Sequence, residues 1–161
     1  TVCVAADRGR LMAPIIVSTE VNRPAADVFA FATDPTHFSE WQKGVVEGHM
    51  EHGQGTKSLG AKCITTRRIG FANRPSAAEV TEFNPPIRWG VRGIDGPIRA
   101  AVDVLVEPLT DSRSRLTISV DFEGHGVGKV LVPLVVVREA RKEMPMNLEN
   151  LKSILERLSS D

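Results

Sequence analysis

Two neighbouring stretches constrain the fold more than any other part of this chain. In the first, Ile98, Ala100, Val102, Val104 and Val106 alternate with a polar set containing Arg99, Asp103 and Glu107. In the second, Leu116, Ile118, Val120 and Phe122 alternate with Thr117, Asp121 and Glu123. A period of two puts every apolar side chain on one face of a strand, so both stretches read as strands with one dry and one wet face. A dry face must be covered. The C-terminal segment supplies the cover, because Val130, Leu134, Val137, Arg141, Met144, Leu148, Leu151, Leu155 and Leu158 recur at spacings of three and four. That is the stripe of a long amphipathic helix, apolar except at Arg141. Pro133 and Pro145 each remove a helical hydrogen bond and are expected to kink it.

The rest of the chain follows the same logic. Ile15 to Val21 alternates as a strand, and Asn22-Arg23-Pro24 stops it, with Pro24 and Asp27 suited to opening a helix through Val28, Phe29, Phe31 and Ala32. Thr33-Asp34-Pro35 breaks that helix, and Thr36 to Gln42 reads as a second short one bearing Phe38 and Trp41. From Gly44 onward, turn-forming clusters separate successive antiparallel strands at about Val45–Glu51, Lys57–Ile69, Ser76–Phe83, Arg88–Gly93, Ile98–Leu109 and Arg115–Glu123. The fold class is therefore α+β, an antiparallel sheet of about seven strands with two short helices after the first and a long helix at the end.

Composition narrows the function. The 161 residues predict one domain, over residues 15–159, after an N-terminal extension of residues 1–14. Met12 is a candidate alternative start, with residues 1–11 as a leader. Twenty basic residues balance twenty acidic ones, which gives no general field for a polyanion, so nucleic acid is not an expected partner. The longest apolar stretch, Val127 to Val137, is interrupted by Gly128, Lys129 and Pro133 and is too short to span a bilayer. Two cysteines, Cys3 and Cys63, do not make a disulfide scaffold, and a reducing cytoplasm fits best. The four histidines have no metal-ligand spacing, no G-x-S-x-G elbow is present, and neither a metal nor another cofactor is expected. Gly124-His-Gly-Val-Gly128 lacks the Lys-Ser/Thr ending of a phosphate loop and reads as the link from last strand to long helix.

The segment Val21-Asn-Arg-Pro-Ala-Ala-Asp-Val-Phe-Ala-Phe-Ala-Thr-Asp34, the tryptophan of Phe38-Ser-Glu-Trp41, and Glu79-Val-Thr-Glu-Phe-Asn-Pro-Pro86 followed by Trp89 occur here in order. Together with the closing helix they resemble the helix-grip fold of the START-like (SRPBCC) superfamily, in particular its polyketide cyclase/dehydrase and lipid-transport branch. The likeness covers Ile15 to about Leu158. It implies a curved sheet gripping the long helix around a largely apolar cavity, and a hydrophobic small molecule as partner: a polyketide, a fatty acyl group or an isoprenoid. The alternative it implies is an aromatase/cyclase-dehydrase acting on a poly-ketone chain in the same cavity. The chain has no tyrosine, so phenol-based acid chemistry is absent. A monomer or homodimer is expected.

The residues expected to face the ligand are Phe29, Trp41, Cys63, Thr65, Arg67, Trp89, Val102, Val104, Ile118, Phe122, Leu134, Val137 and Arg141. Small side chains at Ala61, Cys63, Gly90, Ala100 and Ala101 are expected to leave room. Arg67 shares strand parity with Cys63 and Thr65; inward-facing, it needs an acid, a wet mouth or a ligand oxygen, and the competing reading puts it at the strand end in solvent. Arg141 poses the same choice, against snorkelling to the rim. Trp89 is a ligand platform or plain core, and Trp41 with Phe38 caps the mouth or staples a helix to the sheet. Cys63 reads as a small buried hydrophobe. If a cyclase reaction occurs, Arg67 or Arg141, with His37, His125 or Thr65, are the side chains able to assist it.

Overall fold

The structure, a computed structural model, describes residues 13–51, 58–131 and 135–158. Seven antiparallel strands form one curled sheet: β1 (Ile15–Val21), β2 (Val45–Met50), β3 (Lys62–Ile69), β4 (Ala72–Asn84), β5 (Arg88–Gly93), β6 (Ile98–Thr110) and β7 (Arg113–Gly124). Their order across the sheet is β1-β7-β6-β5-β4-β3-β2, so the first strand pairs with the last. Helix α1 (Ala25–Ala32), a 3-10 turn at Pro35–His37 and helix α2 (Phe38–Trp41) connect β1 to β2. Helix α3 (Gly128–Leu131) and the long helix α4 (Val137–Leu158) complete the chain. This is the helix-grip architecture, a half-barrel closed on one side by α4.

The alternation in β6 and β7 works as read. Val102 stands opposite Val120, Val104 opposite Ile118 and Val106 opposite Leu116, and all six belong to the core or pack on it. Their dry face meets the α4 track Met144, Leu148, Leu151 and Leu155, with Ala140 and Ile154 packed alongside. Val21, Val28, Val106, Leu116, Leu151 and Leu155 are fully enclosed where β1, α1 and the C-terminal half of α4 meet, and Val80 is equally enclosed on β4. Arg23 fastens that end, donating to Asp27 and to the carbonyl of Leu155 at 2.9 Å.

Two sequence expectations need correction. The helical stripe is narrower than its spacing suggests, because Val130, Arg141 and Leu158 are exposed and the small Ala140 takes the inward position beside Val137 and Met144. Pro145 lies within α4, whereas Pro133 and Leu134 fall outside the described residues. Most consequential is the β3–β4 connection, where the sequence places a loop from Gly70 to Pro75. The turn is only Gly70–Phe71, and β4 starts at Ala72 with Pro75 opposite Thr66. A proline is tolerated there because β5 pairs with β4 only from Ala78 onward, so Pro75 has no neighbour needing its missing N–H.

Candidate ligand site on the inner face of the sheet

Along β6 and β7, burial of the inner face runs in one direction. At the α1 end, Val104, Val106, Leu116 and Ile118 are buried. Towards the other end of the same two strands, Val102, Val120, Ala100, Phe122 and Ile98 are half-buried. Val102 and Val120 still pack on the core, whereas Ala100, Phe122 and Ile98 are not among the described residues that do. Val137, at the start of α4, is buried yet stands outside the contiguous core. On β6 and β7 the inner face is thus fully buried at one end and half-buried at the other.

Strand register explains why. Across the looser end, Cys63 pairs with Ala78, Ala78 with Gly93, and Ala100 with Phe122; a Cβ built on Gly93 would come within 3.2 Å of the Ala100 nitrogen. Cys63, Ala78, Gly93 and Ala100 therefore form a cross-strand row with little side-chain volume. Two of the small residues singled out from the sequence face the other way. A Cβ on Gly90 would lie 3.0 Å from the Asp103 carboxylate on the outer face, and Ala101 pairs with Asp121 and Arg92 on that face. Ala78 and Gly93 take their place. A tight seam lies beside the row, where a Cβ on Gly128 would meet the Pro97 carbonyl oxygen at 1.9 Å, so α3 starts against the β5–β6 turn only because Gly128 has no side chain.

Polarity rises outward along β3 and β4. Beyond the Cys63–Ala78 pair come Thr65 opposite Ser76, then Arg67 opposite Arg74. Burial raises the Cys63 thiol above its ordinary value, partly offset by its contact with Thr65 Oγ1 at 3.8 Å. Arg67 donates to Gln42 Oε1 at 2.9 Å. Its surface is open to water, yet burial by the surrounding protein lowers its pKa, with the Glu143 carboxylate of α4 opposing the shift. Arg74 has no hydrogen-bonding or ionic partner among the described residues, and like charges directly opposite are unfavourable.

Phe29, Trp41, Cys63, Trp89, Val104 and Ile118 all lie in the core. Phe38 joins the two tryptophans edge-to-face, with ring centroids 6.0 Å from Trp41 and 6.3 Å from Trp89. The buried indole N–H of Trp41 has no acceptor among the described residues. Val102, Phe122, Thr65 and Arg67 lie on the looser part of the inner face, whereas Arg141 projects into solvent. Gln42, Arg74, Glu143 and Asn147 were not singled out from the sequence. Asn147 is buried in α4 and accepts from the Lys43 amide at 3.0 Å, pinning the α2–β2 turn to the helix. A lone asparagine within an apolar stripe was the available signal.

A curled seven-stranded antiparallel sheet gripped by one long C-terminal helix, with short helices after the first strand, is the START-like helix-grip class of fold. The chain belongs to the polyketide cyclase/dehydrase and lipid transport family, whose match spans residues 12–156. No curated protein matches it. Among solved structures it is similar to the di-domain ARO/CYC BexL from the BE-7585A biosynthetic pathway, with 12% identity and a TM-score of 0.72; the match covers 93% of this chain but 48% of BexL, so the chain spans about half of that protein. It is also similar to a protein from Thermus thermophilus, with 14% identity, a TM-score of 0.70 and coverage of 92% and 99% of the two chains. A START superfamily protein from Mycobacterium smegmatis matches with 14% identity, a TM-score of 0.64 and coverage of 89% and 94%. At such identities the likeness is one of fold.

Proposed function

We propose that this protein binds a hydrophobic small molecule, such as a polyketide, a fatty acyl group or an isoprenoid, between the inner face of the sheet and α4. The observation that supports the reading is the burial gradient along β6 and β7, where Ala100, Phe122 and Ile98 are half-buried and, among the described residues, do not join the core cluster. An apolar guest lies against these residues, Val102 and the row from Cys63 to Ala100. Thr65 and Arg67 meet its polar end, and the unpaired Trp41 N–H is available to a carbonyl or hydroxyl oxygen. Phe29, Trp89, Val104 and Ile118 form the floor. The free, buried Cys63 suits a reducing compartment such as the cytoplasm.

A second reading, cyclase/dehydrase chemistry on a poly-ketone chain, is favoured by the Arg67 guanidinium at the edge of an apolar enclosure. In aldol closure a base, for which water in the site can serve, takes an α-proton, and the resulting enolate carbon bonds to a second carbonyl carbon as that C=O π bond opens to an alkoxide, which takes a proton; loss of this hydroxyl with a neighbouring α-proton then forms the C=C bond and releases water. Arg67 would stabilise the negative oxygen before the proton arrives. BexL carries the description ARO/CYC, which lends the reading support by analogy of fold.

Mass spectrometry under denaturing conditions, on protein purified from its native host, tests the binding reading. A co-purified apolar compound is expected. Its absence, with no uptake of an apolar fluorescent dye by the purified chain, overturns the reading. For the cyclase reading, Arg67→Ala should abolish product formation while leaving the unfolding midpoint unchanged, and undiminished turnover rejects Arg67 as the catalytic residue.

A further inference from the structure

The β3–β4 hairpin ends in a feature that ligand binding does not use. Gly70, at φ +63°, opens a two-residue turn that carries Phe71 at its apex. Phe71 is fully exposed and Ile69 beside it is 61% exposed, an unfavourable arrangement in water for two large apolar side chains. Behind this apex stand Arg67, Arg68 and Arg74, and the segment from 67 to 74 contains no acid. The exposed Lys43 adjoins them, since the Arg68 amide donates to the carbonyl of Gly44 at 2.8 Å. The β5–β6 turn and α3 reach the same end of the sheet, where the His125 amide donates to the Pro97 carbonyl, and they present exposed Ile94, Val127 and Val130.

We propose that this end of the molecule docks on an anionic lipid bilayer, with Phe71 and Ile69 entering the interfacial layer and Lys43, Arg68 and Arg74 against lipid phosphates. Two observations select a bilayer. The apolar side chains that insert sit on one narrow hairpin tip, which runs past the β5–β6 turn because Ile94 lies level with Ala77; a fluid interface admits such a tip, whereas a folded partner must match its shape. The cations form a local collar on a chain whose total charge is zero, which complements a negative surface without making the whole protein a polycation. The hairpin that carries the tip also carries Thr65 and Arg67, so docking would bring the looser end of the inner face to the lipid.

Co-sedimentation of the full chain with vesicles tests the assignment. Binding is expected to phosphatidylcholine vesicles containing phosphatidylserine, and to be far weaker on phosphatidylcholine alone. Phe71→Ser, at a fully exposed site, should weaken binding about tenfold. Arg68→Ala with Arg74→Ala should weaken it about 25-fold, roughly fivefold per charge. Arg88→Ala, at the opposite end of β5, serves as control and should change nothing. Circular dichroism establishes that each variant is folded. Equal binding to both vesicle types, no binding to either, or an unchanged Phe71→Ser variant each overturns the proposal. Because the readout is vesicle association, it is decided separately from whether the interior holds a ligand.

Discussion

Replacing Ala100 by isoleucine asks directly whether space exists beside the inner face of β6. Ala100 is half-buried, pairs with Phe122, has the bare Gly93 on its other flank, and among the described residues is not part of the core or packed on it. Isoleucine adds three carbons and suits a strand, so backbone preference does not confuse the outcome. Burying them completely would contribute about 2.4 kcal/mol at roughly 0.8 kcal/mol per carbon, and a half-accessible site should realise about 1 kcal/mol. A solid interior would instead force neighbours apart at a cost of about 1–3 kcal/mol. The two cases differ in sign. Urea denaturation should show Ala100→Ile to be at least as stable as the parent, while dye titration should show weaker uptake because the added carbons occupy the guest's place. Destabilisation by more than about 1 kcal/mol with unchanged dye uptake would refute the reasoning.

The packed end should behave differently. Leu151 is fully enclosed, so Leu151→Ala should cost about 2–5 kcal/mol in urea denaturation, and a cost below about 1 kcal/mol would show that α4 is not seated as described. Glu20 is held below its ordinary value of 4.5, chiefly by its hydrogen bond from Arg115 and then by the charge of Arg113. The stabilisation from this pairing is present above that value and is lost as pH falls through the lowered one; Glu20→Gln should flatten acid unfolding over that range, and added salt should shrink the difference because the site is exposed. Cys63 has a raised pKa because it is buried, so stability should decline as pH rises above the ordinary thiol value of 9.0 towards the raised one, less so in Cys63→Ala. Peptide mapping after brief alkylation at about pH 8 should find Cys63 unmodified in the folded chain and modified in urea.

The sequence carries much of this architecture because its dry strand faces and helical stripe repeat over many residues. In β6 and β7 every second residue repeats the same message. The site is less legible because it depends on register, which couples residues far apart in the chain. Arg67 faces Arg74 only if the hairpin turns at Gly70–Phe71, and Pro75 signalled a longer loop because its tolerance depends on where β5 stops. Gly90 and Gly93 differ by three positions in one short strand, yet one faces outward and the other belongs to the small inner row. Arg141 fits the heptad-like spacing, but Ala140 takes the inward track and leaves the charge in water. Gln42 and Glu143 carry no sequence signal of their own, since their roles arise only where α2, β3 and α4 converge.

The pairing of β1 with β7 bears on how the chain is made. Ile15 finds its neighbour only when Val120 exists, and α4, which covers β1, is synthesised later still. On a ribosome β1 must wait through nearly all of the synthesis of this domain with its hydrogen-bonding edge unpaired and its apolar face uncovered. Such delayed closure slows folding and leaves the nascent polypeptide open to wrong associations. A stop codon before β7 would therefore yield an insoluble fragment rather than a smaller working domain.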